Sequence, residues 1–196
     1  SERSVGKTVV FRNKSVPVLG FQEALALKPD IALFSAGKEV SRVWAPRLAE
    51  TGCRVIDNSS CWRMDPAIRL VVPEINGDLL TQEDRIIANP NCSTIQMVMA
   101  LAPLHRQYGL SRIVVSTYQS VTGSGQKGLQ QLLAERNAHT KDHNTAVPLS
   151  VYPRPIDMNV IPQIGAFLDN GYTEEEIKMV QETQKILDDP GIRVSA

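Results

Sequence analysis

The chain has 196 residues, with 21 Lys and Arg set against 21 Asp and Glu, 42% hydrophobic residues and a pI near 6.8. That length supports one well-filled core or two small ones, and the balanced charge lacks the basic footprint that nucleic acid or an anionic membrane selects. The longest apolar run, Met97 to Ala102, is six residues, far short of a membrane span, so the chain reads as a cytosolic protein.

Short β-branched runs alternate with helical patterns, which predicts an α/β architecture with a largely parallel sheet. Thr8 to Phe11 reads as a strand and Phe21 to Leu27 as a short helix. The apolar run Ile31 to Phe34 predicts a buried strand entering a tight turn at Ser35-Ala36-Gly37. Between Glu39 and Thr51, Val40, Val43, Trp44 and Leu48 recur at helical spacing, with Gly52 as C-cap, and Arg54 to Asp57 is again extended. Further strands are expected at Leu70 to Val72 and Arg85 to Ala88.

The texture changes at Asn89-Pro90-Asn91-Cys92. Proline biases Asn89 away from helix, Asn91 is a good N-cap, and Ile95, Val98, Met99 and Ala102 mark one helix face. A strand from Ile113 to Tyr118 leads into Thr122-Gly123-Ser124-Gly125 and a helix through about Ala138, its buried stripe expected at Leu129, Leu132 and Leu133. Residues 139 to 158 hold two histidines and three prolines and read as a long irregular connection. Thr173 and Glu176 form a capping box for a last helix to about Leu187, and a strand begins near Arg193.

Three cysteines form neither a disulfide framework nor a C-x-x-C pair. Cys53 and Cys61 are assigned to packing. Cys92 stands at a helix N-terminus, where unpaired N–H groups and the macrodipole favour an anion, and the thiolate is the nucleophilic form. Position alone equally suits a small buried residue filling space. Gln119, at a strand end, would orient a substrate without competing for its protons, or simply cap a loop. Arg63 is either solvated or a planar fork for phosphate or carboxylate. Glu175, Lys178, Glu182 and Lys185 share one helix face and by themselves read as a solvent-facing salt-bridge stripe. His139 and His143 are spaced i,i+4 but lack supporting ligands, so both read as surface residues and no metal is expected; His105 reads as a helix-surface residue.

Asn89-Pro-Asn-Cys-Ser-Thr-Ile-Gln96, Val115-Ser-Thr-Tyr-Gln119 and Thr122-Gly-Ser-Gly125 closely resemble the aspartate-β-semialdehyde dehydrogenase family. So do Ile31 to Gly37, Val55 to Ser60, Leu70 to Glu74, Asn159 to Gln163, Tyr172 to Met179 and Glu182 to Ile186. The blocks stand in family order and cover most of the chain. The resemblance implies a partial Rossmann-type NADP-binding domain over residues 1–90 and an α+β catalytic and dimerisation domain over 91–196, like glyceraldehyde-3-phosphate dehydrogenase, with the active site at their junction. It implies NADPH-dependent reductive dephosphorylation of β-aspartyl phosphate to L-aspartate 4-semialdehyde, on the way to lysine, threonine and methionine, by a homodimer or dimer-based tetramer.

By the same resemblance Cys92 is the nucleophile, with Asn91 helping to fix its turn. Gln119 and Glu175 contact the substrate, and Arg63 and Lys178 its phosphate. Arg3 and Ser4 recognise the adenosine 2′-phosphate, Ser35, Ala36 and Gly37 approach the nucleotide, and Thr122 and Gly123 lie near the nicotinamide. The glycine-rich turn that opens such a nucleotide domain is not in the sequence, nor are the family's substrate-carboxylate arginine and acid/base histidine. The expectation is therefore a chain incomplete at both ends and inactive by itself. Competing readings are N-acetyl-γ-glutamyl-phosphate reductase, which uses the same cysteine logic, a non-catalytic interaction module of the same fold, and a cysteine hydrolase.

Overall fold

The four residues Ile31–Phe34 form a strand, β3, because a β-branched start and an alternating environment suit an extended chain: Ala32 and Phe34 face the core, whereas Ile31 and Leu33 are exposed. The computed structural model describes residues 4–141 and 147–196. They divide into two compact units, one running to Ile113 and including Lys178–Ser195, the other comprising Val114–Ile177 and Ala196. This differs from a linear division at residue 90, because the helix that starts at Cys92 packs its Val98 into the same cluster as Leu70, Val72 and Ala88 of the sheet region.

In the first unit, β1 (Thr8–Phe11) and β2 (Lys14–Pro17) form an antiparallel hairpin that pairs Val9 with Val16. Its turn residues, Arg12 and Asn13, have φ of 49° and 61°, the left-handed pair whose twist matches a two-residue hairpin. Lys14–Pro17 lacks an apolar alternation and was not expected as a strand. Next come α1 (Phe21–Ala26), β3, α2 (Lys38–Glu50), β4 (Arg54–Asp57), β5 (Arg69–Leu70), α3 (Pro73–Asn76), β6 (Ile86–Ala88) and α4 (Cys92–Tyr108). The sheet order is β3-β4-β6-β5 and every pairing is parallel, as the alternating pattern predicts.

The core has two clusters. Phe34, Ala45, Leu48, Cys53 and Val55 bury the sheet face under α2, and Leu70, Val72, Ala88, Val98 and Ile186 bury the sheet region against α4; Trp62 packs on both. Its indole N–H donates to Ser41 Oγ (2.8 Å), which satisfies the polar edge of an otherwise apolar body. Burial also pushes the Cys53 thiol pKa up, with Asp30 adding to the effect, in keeping with a packing role. Strand β7 (Arg112–Val114) joins β8 (Arg193–Ser195) in a two-stranded sheet. The strand expected to reach Tyr118 ends at Val114. His105 is less exposed than expected: its Nδ1 accepts the Leu110 N–H (3.1 Å), closing the end of α4.

In the second unit a 3-10 turn, Val121–Ser124, leads into α5 (Gly125–Lys141). The leucine stripe expected here is only partly present: Leu129 and Leu132 are half-buried, but Leu133 is 51% exposed, and the buried positions are Gly128, Gln131 and Glu135. The reason lies in the segment that follows, which has backbone donors to satisfy. Gln131 Oε1 accepts the N–H groups of Ser150, Val151 and Tyr152, and Glu135 Oε2 those of Ile156 and Asp157. His139 is exposed, and its Nδ1 lies 2.8 Å from Asp157 Oδ2; His143 lies outside the described residues. The Thr173–Glu176 capping box is present at the start of α6 (Glu174–Ile186).

Candidate active site

The site grows from the carboxyl ends of β4 and β6, where neighbouring parallel strands release their chains. After β4, buried Asp57 accepts hydrogen bonds from Ser41 Oγ (2.6 Å), Ser59 N–H (2.8 Å) and Ser59 Oγ (2.8 Å), pinning the turn that carries Arg63. After β6, Asn89 N–H donates to Asp57 O (2.8 Å) and its side chain donates to Asn58 Oδ1 (2.7 Å). The two turns are thus fastened together.

Cys92 is the first residue of α4 and is exposed, so the space-filling reading of this thiol is overturned. Asn91 caps the helix as expected: its Oδ1 accepts the N–H groups of Ser93 (2.9 Å) and Thr94 (3.3 Å). The thiol therefore sits on the first turn of a 17-residue helix, where the macrodipole presents partial positive charge.

Arg63 is buried. Its Nε donates to Ser59 O (3.1 Å), Nη2 to Asn58 O (3.0 Å) and Nη1 to Glu182 Oε1 (3.0 Å). Glu182 Oε2 accepts the Asn91 N–H (2.6 Å), so one carboxylate joins the arginine to the residue before Cys92. Lys185 Nζ donates to the carbonyls of Arg63 (2.8 Å), Asp65 (2.6 Å) and Ile68 (3.0 Å), and burial pushes its pKa down. The solvent-facing reading of the α6 stripe is thereby corrected: Glu182 is 1% exposed and Lys185 is tied to backbone. Sequence reasoning missed both residues as parts of the site. A signal was present, since Glu182 falls between Met179 and Ile186 at the i,i+3,i+7 spacing of a buried face.

In the second unit, Gln119 Nε2 donates to Glu175 Oε1 (3.3 Å), so these two expected substrate contacts do meet. Lys178, partly buried on α6, belongs to the first unit. Among the expected cofactor residues, Arg3 lies outside the described residues, and Ser4 is partly buried with its carbonyl accepting Lys7 N–H (3.1 Å). Ser35, Ala36 and Gly37 are exposed at the end of β3. Gly37 is the N-cap of α2, with φ 93° and ψ 166° and no capping side chain, so its backbone conformation needs glycine and the first amides of α2 are left for another acceptor. Thr122 and Gly123 lie in the exposed 3-10 turn, where Thr122 donates to Ser120 Oγ (3.0 Å). Among the described residues, no group of His, Cys, Asp and Glu is placed to hold a metal ion, and no helix is long and apolar enough to cross a membrane.

Residues 1–83 match the family model for the semialdehyde dehydrogenase NAD binding domain, and residues 101–196 that for the semialdehyde dehydrogenase dimerisation domain. The chain belongs to the semialdehyde dehydrogenase family. Among curated relatives, aspartate-semialdehyde dehydrogenase of Aquifex aeolicus is 47% identical and that of Legionella pneumophila 49% identical, each over all of this chain. The chain spans 58% and 56% of their respective lengths. The crystal structure of aspartate semialdehyde dehydrogenase II from Vibrio cholerae, complexed with ASA, superposes with a TM-score of 0.93 at 48% identity, over all of this chain and 58% of that one. The α/β semialdehyde dehydrogenase fold is thus shown.

Proposed function

We propose that this protein works as an NADP-dependent aspartate-semialdehyde dehydrogenase, with Cys92 as its nucleophile. The observation that carries this reading is an exposed thiol on the first turn of α4, capped by Asn91, in a chain 48% identical to the Vibrio cholerae enzyme. The Cys92 thiolate attacks the acyl carbon of β-aspartyl phosphate; the C–S bond forms, the C–O bond to phosphate breaks, and phosphate departs to leave a thioester. NADPH, when bound, supplies the hydride that reduces this thioester. The thiohemiacetal then collapses with C–S cleavage, releasing L-aspartate 4-semialdehyde and the thiolate. Sulfur suits both halves, being nucleophilic on the way in and a good leaving group on the way out.

Gln119 and Glu175 orient the substrate, the carboxylate of Glu175 matching its ammonium. Lys178 and Arg63 hold its phosphate. A guanidinium carries five N–H donors, of which Ser59, Asn58 and Glu182 engage three, leaving two for bidentate contact. The residues present fit the cofactor: the exposed, uncapped start of α2 at Ser35, Ala36 and Gly37 suits a phosphate or ribose acceptor, with Arg3 and Ser4 for the 2′-phosphate and Thr122 and Gly123 for the nicotinamide end. The protein assembles as a homodimer through the part that matches the dimerisation domain.

Assay with aspartate semialdehyde, phosphate and NADP tests the reading. In the full-length enzyme Cys92→Ala is expected to abolish NADPH formation with the fold intact, and NAD is expected to be the poorer oxidant. A fully active Cys92→Ala protein would remove the nucleophile from the proposal.

A further inference from the structure

The geometry points to Glu182 as the positioning residue of the nucleophile turn, an inference that rests on Cys92 being the nucleophile. The turn Asn89-Pro90-Asn91 has only two backbone N–H groups, because Pro90 has none. Asn89 N–H goes to Asp57 O and Asn91 N–H to Glu182 Oε2, so Glu182 supplies the acceptor for one of these two N–H groups. Asn91 in turn caps α4 through its side chain. Glu182 therefore acts on Cys92 through the residue beside it: the carboxylate holds the Asn91 backbone, and the Asn91 amide holds the helix.

The second carboxylate oxygen takes Arg63 Nη1, and Lys185, three residues on, grips the Arg63 carbonyl. Helix α6 thus holds Arg63 at both its side chain and its backbone. An apolar residue at 182 would continue the Met179–Ile186 face without the cost of desolvating a charge. The carboxylate instead has both oxygens engaged, one by the proposed phosphate ligand and one by the nucleophile's neighbour. Glutamine cannot replace it: with one acceptor oxygen and one NH2 group, it must turn a donor toward either the Asn91 N–H or the Arg63 guanidinium.

Two readouts on the same chain test this. Iodoacetamide alkylation of Cys92 at pH 7, resolved from Cys53 and Cys61 by peptide mass mapping, reports the thiol's placement, and amide hydrogen exchange reports the Asn91 anchor. In Glu182→Gln, exchange at Asn91 is expected to rise about tenfold or more while β4 and β6 keep their protection. The alkylation rate is expected to change by about tenfold as the thiol is displaced. A folded Glu182→Gln protein alkylated at the wild-type rate overturns the proposal and leaves Glu182 a packing residue. If Glu182→Gln does not fold, Arg63→Met/Glu182→Leu, which leaves no charge unmatched, is read by the same two criteria. Incubation of the wild type with aspartate semialdehyde separates the two ideas: absence of a Cys92 adduct counts against the nucleophile reading, whereas the alkylation comparison judges Glu182 alone.

Discussion

Arg63 and Glu182, 119 residues apart in the chain, form an ion pair at 3.0 Å with side chains only 10% and 1% exposed. The pair fastens α6 to the turn after β4, and the second oxygen of Glu182 fastens it to the turn after β6. Two carbonyls also accept from the arginine, so the ion pair is hydrogen-bonded as burial demands.

Arg63→Ala should leave Glu182 buried without its counter-charge and cost about 3–5 kcal/mol. Arg63→Met/Glu182→Leu removes both charges together and should cost much less than the single substitution. Urea unfolding of the two variants beside the wild type checks the order; a double variant less stable than Arg63→Ala would contradict it.

Gly37 has φ 93° and ψ 166°, a region open essentially to glycine alone, and an added methyl group would meet nothing within 4 Å. Gly37→Ala should therefore destabilise by about 1–3 kcal/mol through backbone strain alone. A thermal melt showing no loss of stability would mean that the β3–α2 turn relaxes freely.

Gln131 gathers three consecutive N–H groups on one oxygen. Gln131→Leu keeps the volume near constant but removes that acceptor, and about 1–3 kcal/mol of local stability should go with it. Amide exchange at Ser150, Val151 and Tyr152 should accelerate well beyond exchange elsewhere; uniform acceleration along the chain would instead report global unfolding.

Asp157 is held down to about 2 from an ordinary 3.8, first by the hydrogen bond from Arg136 (2.7 Å), then by that from His139 (2.8 Å). Because the folded-state value is the lower one, the stability this carboxylate contributes is fully present above pH 4 and is lost as pH falls from about 4 to about 2. The gap in melting temperature between wild type and Asp157→Asn should narrow over that window. A gap that stays constant from pH 5 to about pH 2 would exclude Asp157 as its source.

Much of the first unit was legible because its signals are local. The apolar run at Ile31–Phe34, the β-branched pair Val55-Ile56 within Arg54–Asp57 and the helical recurrence of Val40, Trp44 and Leu48 specify strand, helix and strand within a few residues. Asn91 before Cys92 declares a cap by chemistry alone, and the cap is present. The hairpin strand Lys14–Pro17 was not legible: exposed along its length, it carries no buried alternation to read.

Periodicity tells which residues share a helix face but not what that face meets. On α5 the leucines suggested the buried side, yet Gln131 and Glu135 are buried because a following segment brings backbone donors that need acceptors. On α6 the charges suggested solvent, yet Glu182 is enclosed because two turns distant in sequence bring it a guanidinium and an amide. The sequence by itself determined the parallel α/β order, the capped helix and the thiol at its start, all consequences of neighbours in the chain. Only the tertiary structure decided that Arg63, Asn91 and Glu182 form one unit, because the desolvation of a buried carboxylate is offset only by partners that folding delivers from elsewhere.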